Sequence, residues 1–94
     1  MKIEVDTFEK GTTFESVLKV VEEANEMKTA YIAWDNADFS ELKIFELSYN
    51  LKSEIGDVLT ATMNLCSKLK IEPQECVDMV QVKNILRGYY DTIE

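Results

Sequence analysis

Apolar side chains recur along this chain at helical spacing, in three stretches separated by polar breaks whose residues carry helix-start and helix-stop chemistry. In the first stretch Phe14, Val17, Leu18 and Val21 fall on one face, and Thr12 followed by Glu15 forms a capping-box pattern just ahead of them. The spacing predicts a helix from Thr12 to about Ile32 or Trp34 with that face turned inward. Trp34-Asp35-Asn36-Ala37 reads as a connection, and Asp38 with Glu41 repeats the capping-box pattern at the start of a second helix, Phe39 to Leu69. Such a helix would be about 46 Å long, long for a small domain, a length that leaves room for a kink near Tyr49–Ser53. Lys70-Ile71-Glu72-Pro73 ends it, since proline disfavours helix in the residue before it and suits the first turn of the next. The third helix starts at Pro73, carries Cys76, Val77, Val80 and Leu86, and stops at Gly88. Ahead of the first helix, Ile3 and Val5 alternate weakly over Met1–Phe8, a short strand or an extended arm broken by Glu9-Lys10-Gly11.

The second helix holds an anomaly. Leu47, Leu51, Val58, Ala61 and Leu65 share a stripe, and Glu54 lies inside it with Asp57 adjacent, so two acids point where a core belongs. Gly56 sits between them, and an interior glycine costs a helix about 1 kcal/mol, which suggests a close approach to the backbone there. The first helix repeats the theme. Glu23 lies on the row Val20–Glu23–Met27, Glu26 follows it with Ala30 and Ala33 beyond, and Glu22 points further towards solvent.

Composition narrows the class. Ninety-four residues, 46% of them hydrophobic, with three glycines and one proline, suit a single all-α domain over 1–94: a small antiparallel bundle of three main helices with an extended N-terminal arm. A chain this short buries only somewhat more than ~60% of its unfolded surface, so a bundle with ionised groups between its helices is expected to be completed by oligomerisation, as a homodimer or homotetramer. The net charge of -8, with ten scattered basic residues, argues against a nucleic-acid polymer as partner. No apolar run of membrane-spanning length and no signal-peptide pattern occurs, so a soluble cytoplasmic protein with no membrane partner is expected. There is no histidine, and Cys66 and Cys76 lack CxxC spacing, which excludes the usual zinc sites and Ser-His or Cys-His catalysis. Both cysteines are expected to be reduced core residues.

Each acidic pair has E-x-x-E/D spacing, which puts both carboxylates on one helix face about 4.5 Å apart along the axis. Antiparallel packing of the first two helices through their stripes would gather Glu23, Glu26, Glu54 and Asp57. At about 4 Å and an effective dielectric of ~20, each like-charge pair costs on the order of 4 kcal/mol, so the cluster must protonate or bind cations. Oxygen-only ligands favour Mg2+, or Mn2+, and such ions keep waters and bind phosphate oxygens.

Glu23-Ala24-Asn25-Glu26, a spacer over 27–53, Glu54-Ile55-Gly56-Asp57-Val58-Leu59, and then Lys83-Asn84-Ile85-Leu86-Arg87-Gly88-Tyr89 resemble, in this order, the MazG-like branch of the all-α nucleoside-triphosphate pyrophosphohydrolases. The resemblance runs from about Val17 to Tyr90. It implies hydrolysis of a ribo- or deoxynucleoside triphosphate to the monophosphate and pyrophosphate, a reaction suited to nucleotide-pool house-cleaning, with Mg2+ held by Glu23, Glu26, Glu54 and Asp57. Glu23 or Glu26 would be the catalytic group that orients or deprotonates the attacking water. Lys83 and Arg87 would hold phosphate charge with Asn84 as a hydrogen-bonding partner, and Tyr90, Tyr89 or Trp34 would stack on the base. The chain departs from the family in having only residues 1–11 ahead of the first cap, where members usually have a base-enclosing helix, and in the long first half of its second helix, 39–53. That half would build an oligomer interface or a neighbour's nucleotide pocket.

Simpler explanations stand beside these. An E-x-x-E pair is ordinarily a solvated helix face, Lys83 and Arg87 suit a helix C-terminus without any substrate, and Trp34, Phe39, Phe45 and Tyr49 suit a core or an interface better than a base pocket. The alternative to an enzyme is a noncatalytic acidic helical module that binds protein partners.

Overall fold

The computed structural model describes residues 11–38 and 40–88; the N-terminal arm expected over Met1–Phe8, as well as Phe39, Tyr89 and Tyr90, lies outside them. The described residues form three α-helices and no strand: α1 over Thr13–Asp35, α2 over Glu41–Leu69 and α3 over Pro73–Leu86. The start of α1 is the capping box read from the sequence. The Glu15 N–H donates to Thr12 Oγ1 and the Thr12 N–H to Glu15 Oε1, both at 3.1 Å, so two otherwise orphaned donors are satisfied reciprocally. The helix runs past Trp34 to Asp35 and closes when the Asn36 N–H donates to the Ile32 carbonyl at 3.1 Å.

The second capping box does not form. Ser40 occupies the N-cap with no side-chain hydrogen bond, and α2 begins at Glu41 rather than Phe39, which puts Glu41 at the first helical position instead of the third. No break divides α2, which is continuous over its 29 residues through Tyr49–Ser53. It ends at Lys70, whose backbone turns into the left-handed region (φ 57°, ψ 39°) so that the N–H groups of Lys70 and Ile71 close on the Ser67 and Cys66 carbonyls at 3.2 and 3.0 Å. Pro73 then opens α3, and Gly88, with φ +73°, follows its end as the sequence indicates.

Helices α1 and α2 pack antiparallel. Near the turn the Trp34 indole N–H donates to Ser48 Oγ at 3.1 Å, at mid-length Glu23 faces Glu54 and Asp57, and at the open end Lys68 Nζ donates to the Gly11 carbonyl at 3.0 Å. Helix α3 touches this hairpin only marginally. The fully buried residues of the shared face, among those described, are small or acidic, namely Ser16, Glu23, Ala30 and Ala61, and larger apolar side chains such as Val20 and Met27 are half-buried around them. Phe14, Val17, Leu18 and Val21, expected to point inward, are all exposed. The row that is covered is Ser16, Val20, Glu23, Met27 and Ala30, on the opposite side of the helix. Small side chains let two backbones approach closely, and the large apolar residues of α1 are turned away from α2 as a result. The α2 stripe is as read from the sequence, with Ala61 buried and Leu47, Leu51, Glu54, Val58 and Leu65 half-buried.

The remainder of the apolar surface is uncovered. Leu42 is 82% exposed, Phe45 74% and Tyr49 73%, so the last two belong to no core of this chain. Cys66 is half-buried and Cys76, expected in the core, is exposed because little packs on α3. Burial first, and then the neighbouring Cys76, push the Cys66 thiol up. The accessible surface is 7782 Å², against roughly 5,500 Å² for a folded monomer of 10.8 kDa. The radius of gyration, 16.4 Å, likewise exceeds the roughly 12 Å of a compact chain of this length.

Candidate metal centre

Where α1 and α2 cross at mid-length, each contributes acids to one edge of the contact. One carboxylate oxygen from each of Glu23, Glu54 and Asp57 lies within 4.8 Å of the others. Helical spacing explains the arrangement: Glu54, Asp57 and Ala61 lie one turn apart along α2, and Ala61 is small enough for α1 to come close beside them. Glu23 is only 6% exposed. Its Oε1 accepts from Lys19 Nζ at 2.8 Å, and its Oε2, like Oε2 of Glu54, is buried without a hydrogen-bond partner. A buried acceptor left unpaired costs about 1–3 kcal/mol, more when charged, so each of these two oxygens would gain from a partner.

The electrostatics agree with the geometry. The Lys19 ammonium holds the Glu23 carboxyl below the usual glutamate range in spite of its burial. Glu26 is exposed and stands outside the 4.8 Å group, yet the charge of Glu23, with loss of hydration and the charge of Glu54 behind it, pushes its carboxyl up. One acid is thus held ionised by a cation while its neighbour resists ionisation. A divalent cation would relieve both.

The donor set fits a hard cation: three carboxylates, no sulfur or nitrogen, and solvent on one side for retained waters. Beside the acids a cavity of about 390 Å³ is lined by Glu15, Ser16, Lys19, Glu23, Asp57, Thr60, Ala61 and Asn64. Its size is that of a small-ligand site, and its polar lining combines one ammonium with hydroxyl and amide groups. Lys19, Ser16, Thr60 and Asn64 were not singled out from the sequence. The signal was present, since Asp57, Thr60, Ala61 and Asn64 are three and four residues apart, as are Ser16, Lys19 and Glu23.

The remaining expected site residues lie elsewhere. Lys83, Asn84 and Arg87 are on the last turn of α3 and just beyond it, with Lys83 and Arg87 exposed and Asn84 half-buried, and none of the three lines the cavity. Tyr90 lies outside the described residues. Gly56 does not mark a close approach, because a Cβ built there would meet no atom within 4 Å. Trp34, besides its bond to Ser48, sits 6.2 Å from Tyr31, ring centre to ring centre, near the interhelix turn.

Comparison with protein-family models, curated proteins and solved structures returns no match for this chain.

Proposed function

We propose that this protein is a Mg2+-dependent nucleotide pyrophosphohydrolase that cleaves a nucleoside triphosphate to the monophosphate and pyrophosphate. The observation that carries this reading is the convergence of Glu23, Glu54 and Asp57 from two helices, with two buried, unpartnered carboxylate oxygens beside a cavity of about 390 Å³. Resemblance of the E-x-x-E, EIGDVL and K-N-x-x-R-G-Y wording to the MazG-like branch supports the choice of reaction. Bound Mg2+ would neutralise triphosphate oxygens and acidify a coordinated water. Glu23, Glu54 and Asp57 would hold it. Glu26, whose raised carboxyl accepts a proton more readily than an ordinary glutamate, is suited to taking one from a nearby water.

The exposure of Leu42, Phe45 and Tyr49 on α2 favours assembly as a homo-oligomer, in which a second copy would cover them. Cytoplasmic location is in keeping with such chemistry, and no helix among the described residues is long and apolar enough to cross a membrane. The same exposed apolar faces favour the second reading, a noncatalytic module that docks on other proteins.

The deciding experiment is pyrophosphate release from a panel of ribo- and deoxynucleoside triphosphates with Mg2+, comparing the natural chain with Glu54→Gln and Asp57→Asn. Metal-dependent release that disappears in both variants establishes the enzyme. Absence of release from every triphosphate, at all metal concentrations, leaves the docking module.

A further inference from the structure

Among the described residues Lys19 is the one basic side chain on the wall of the cavity, and it is already engaged with the acids. Its Nζ lies 2.8 Å from Glu23 Oε1 and 3.4 Å from Glu22 Oε1. The two partners differ. Glu22 is exposed, whereas Glu23 is more than nine-tenths buried and keeps a second oxygen, Oε2, without any partner. The lysine is itself 55% exposed, so its four-carbon stem is free to swing about Cα while the carboxylate stays fixed between the helices.

An ammonium 2.8 Å from Glu23 Oε1 and a divalent cation taken by the unpartnered Oε2 of the same carboxylate would lie close enough to repel one another. Taking the magnesium site above as given, we propose that Lys19 is a displaceable counter-ion: it neutralises Glu23 while no metal is bound, gives way when a divalent cation takes that carboxylate, and then offers its charge to the phosphate oxygens of a ligand in the adjoining cavity. Lysine suits both stations because its charge is compact and its three donors rotate. Ser16, Thr60 and Asn64 line the wall that an anion reaching Lys19 would meet. By this account Lys19 opposes metal binding and favours phosphate binding, and the opposite signs separate it from a merely structural i,i+4 ion pair, which would leave phosphate affinity untouched.

The experiment uses the whole chain with Mg2+ alone, and then inorganic tripolyphosphate at saturating Mg2+, each followed by calorimetric titration for the natural protein, Lys19→Met and Lys19→Arg. Tripolyphosphate carries the anionic chain without a base, so base recognition does not enter. Removal of the competitor in Lys19→Met should tighten Mg2+ binding about 2- to 5-fold, the range an exposed ion pair commands. Lys19→Arg, whose planar fork grips a carboxylate in two places and which keeps the ion pair that folding uses, should weaken Mg2+ binding relative to the natural chain. Tripolyphosphate affinity should fall on the order of 10-fold in Lys19→Met, the loss of one charged hydrogen bond, and be largely kept in Lys19→Arg. Natural protein that binds Mg2+ while Lys19→Arg binds it equally well or better, or tripolyphosphate affinity unchanged in a folded Lys19→Met, overturns the role of Lys19 and leaves the metal site standing. Natural protein that binds no Mg2+ overturns both.

Discussion

The face that α1 and α2 share and the faces they turn outward have exchanged the roles usual in a small protein. Inside lie Ser16, Ala30, Ala61 and an ionisable Glu23; outside lie Phe14, Leu18, Leu42, Phe45 and Tyr49. Hydrophobic burial, the main driving force of folding, is therefore only partial where the chain touches itself, and further apolar surface is held on faces with no partner in one copy. The contrast has a reason if the close α1/α2 contact exists to bring carboxylates from two helices together, since large side chains there would hold the acids apart. Stability and chemistry would then be assigned to different faces of the same helices, the apolar ones being left for the second copy proposed above.

The strongest way to break that contrast is to spoil the outer face. Phe45→Lys combined with Tyr49→Lys should abolish the oligomer, costing about 3–6 kcal/mol of assembly free energy at ~1.5–3 kcal/mol for each large side chain buried, and sedimentation velocity should show the monomer mass or an unfolded chain. An unchanged mass would mean that these residues cover nothing. The inner face is attacked by Ala61→Leu, which forces α1 and α2 apart; denaturant unfolding should report a loss of about 1–3 kcal/mol, and Mg2+ should no longer raise the melting temperature. Gly56→Ala sharpens the contrast in the other direction. A Cβ there meets open space and the glycine does not have positive φ, so the helix should gain about 0.8–1.0 kcal/mol in thermal unfolding unless a second copy packs on that point. The smallest effect is a pH signature. Glu26, with its carboxyl raised above the ordinary 4.5, binds protons more readily folded than unfolded, so stability should rise as pH falls towards that value. Glu23, held below 4.5, contributes stability that is present above 4.5 and lost as pH falls further, so melting temperature in metal-free buffer should pass through a maximum near the ordinary glutamate value. Saturating Mg2+ should flatten the upper limb.

The helices were legible because their boundaries are written in local chemistry: the Thr12–Glu15 box, Pro73 at the first turn of α3 and Gly88 after its end each act within a few residues. Asp38 and Glu41 show the limit, since the same spacing formed no box once Ser40 supplied a nearer cap position. The inward face of α1 was misread because size was taken to mark the core. Phe14, Leu18 and Val21 form the bulkier stripe, and only the partner helix decides that the smaller row is the one it meets. Glu23, Glu54 and Asp57 were legible as acids among apolar positions, and the antiparallel hairpin brings them within reach of one another. Lys19, Thr60 and Asn64 were not, because a lysine four residues before a glutamate looks the same whether that glutamate is solvated or buried.

Melting curves at constant ionic strength, with Mg2+ exchanged for Na+, test the metal centre most directly. The account predicts that Mg2+ raises the melting temperature of the natural chain at concentrations where Na+ does not, as required of a ligand that prefers the folded state, and that Glu54→Gln loses the response. Equal responses to the two salts would mean that only general screening acts on the cluster, and would contradict a site built from Glu23, Glu54 and Asp57.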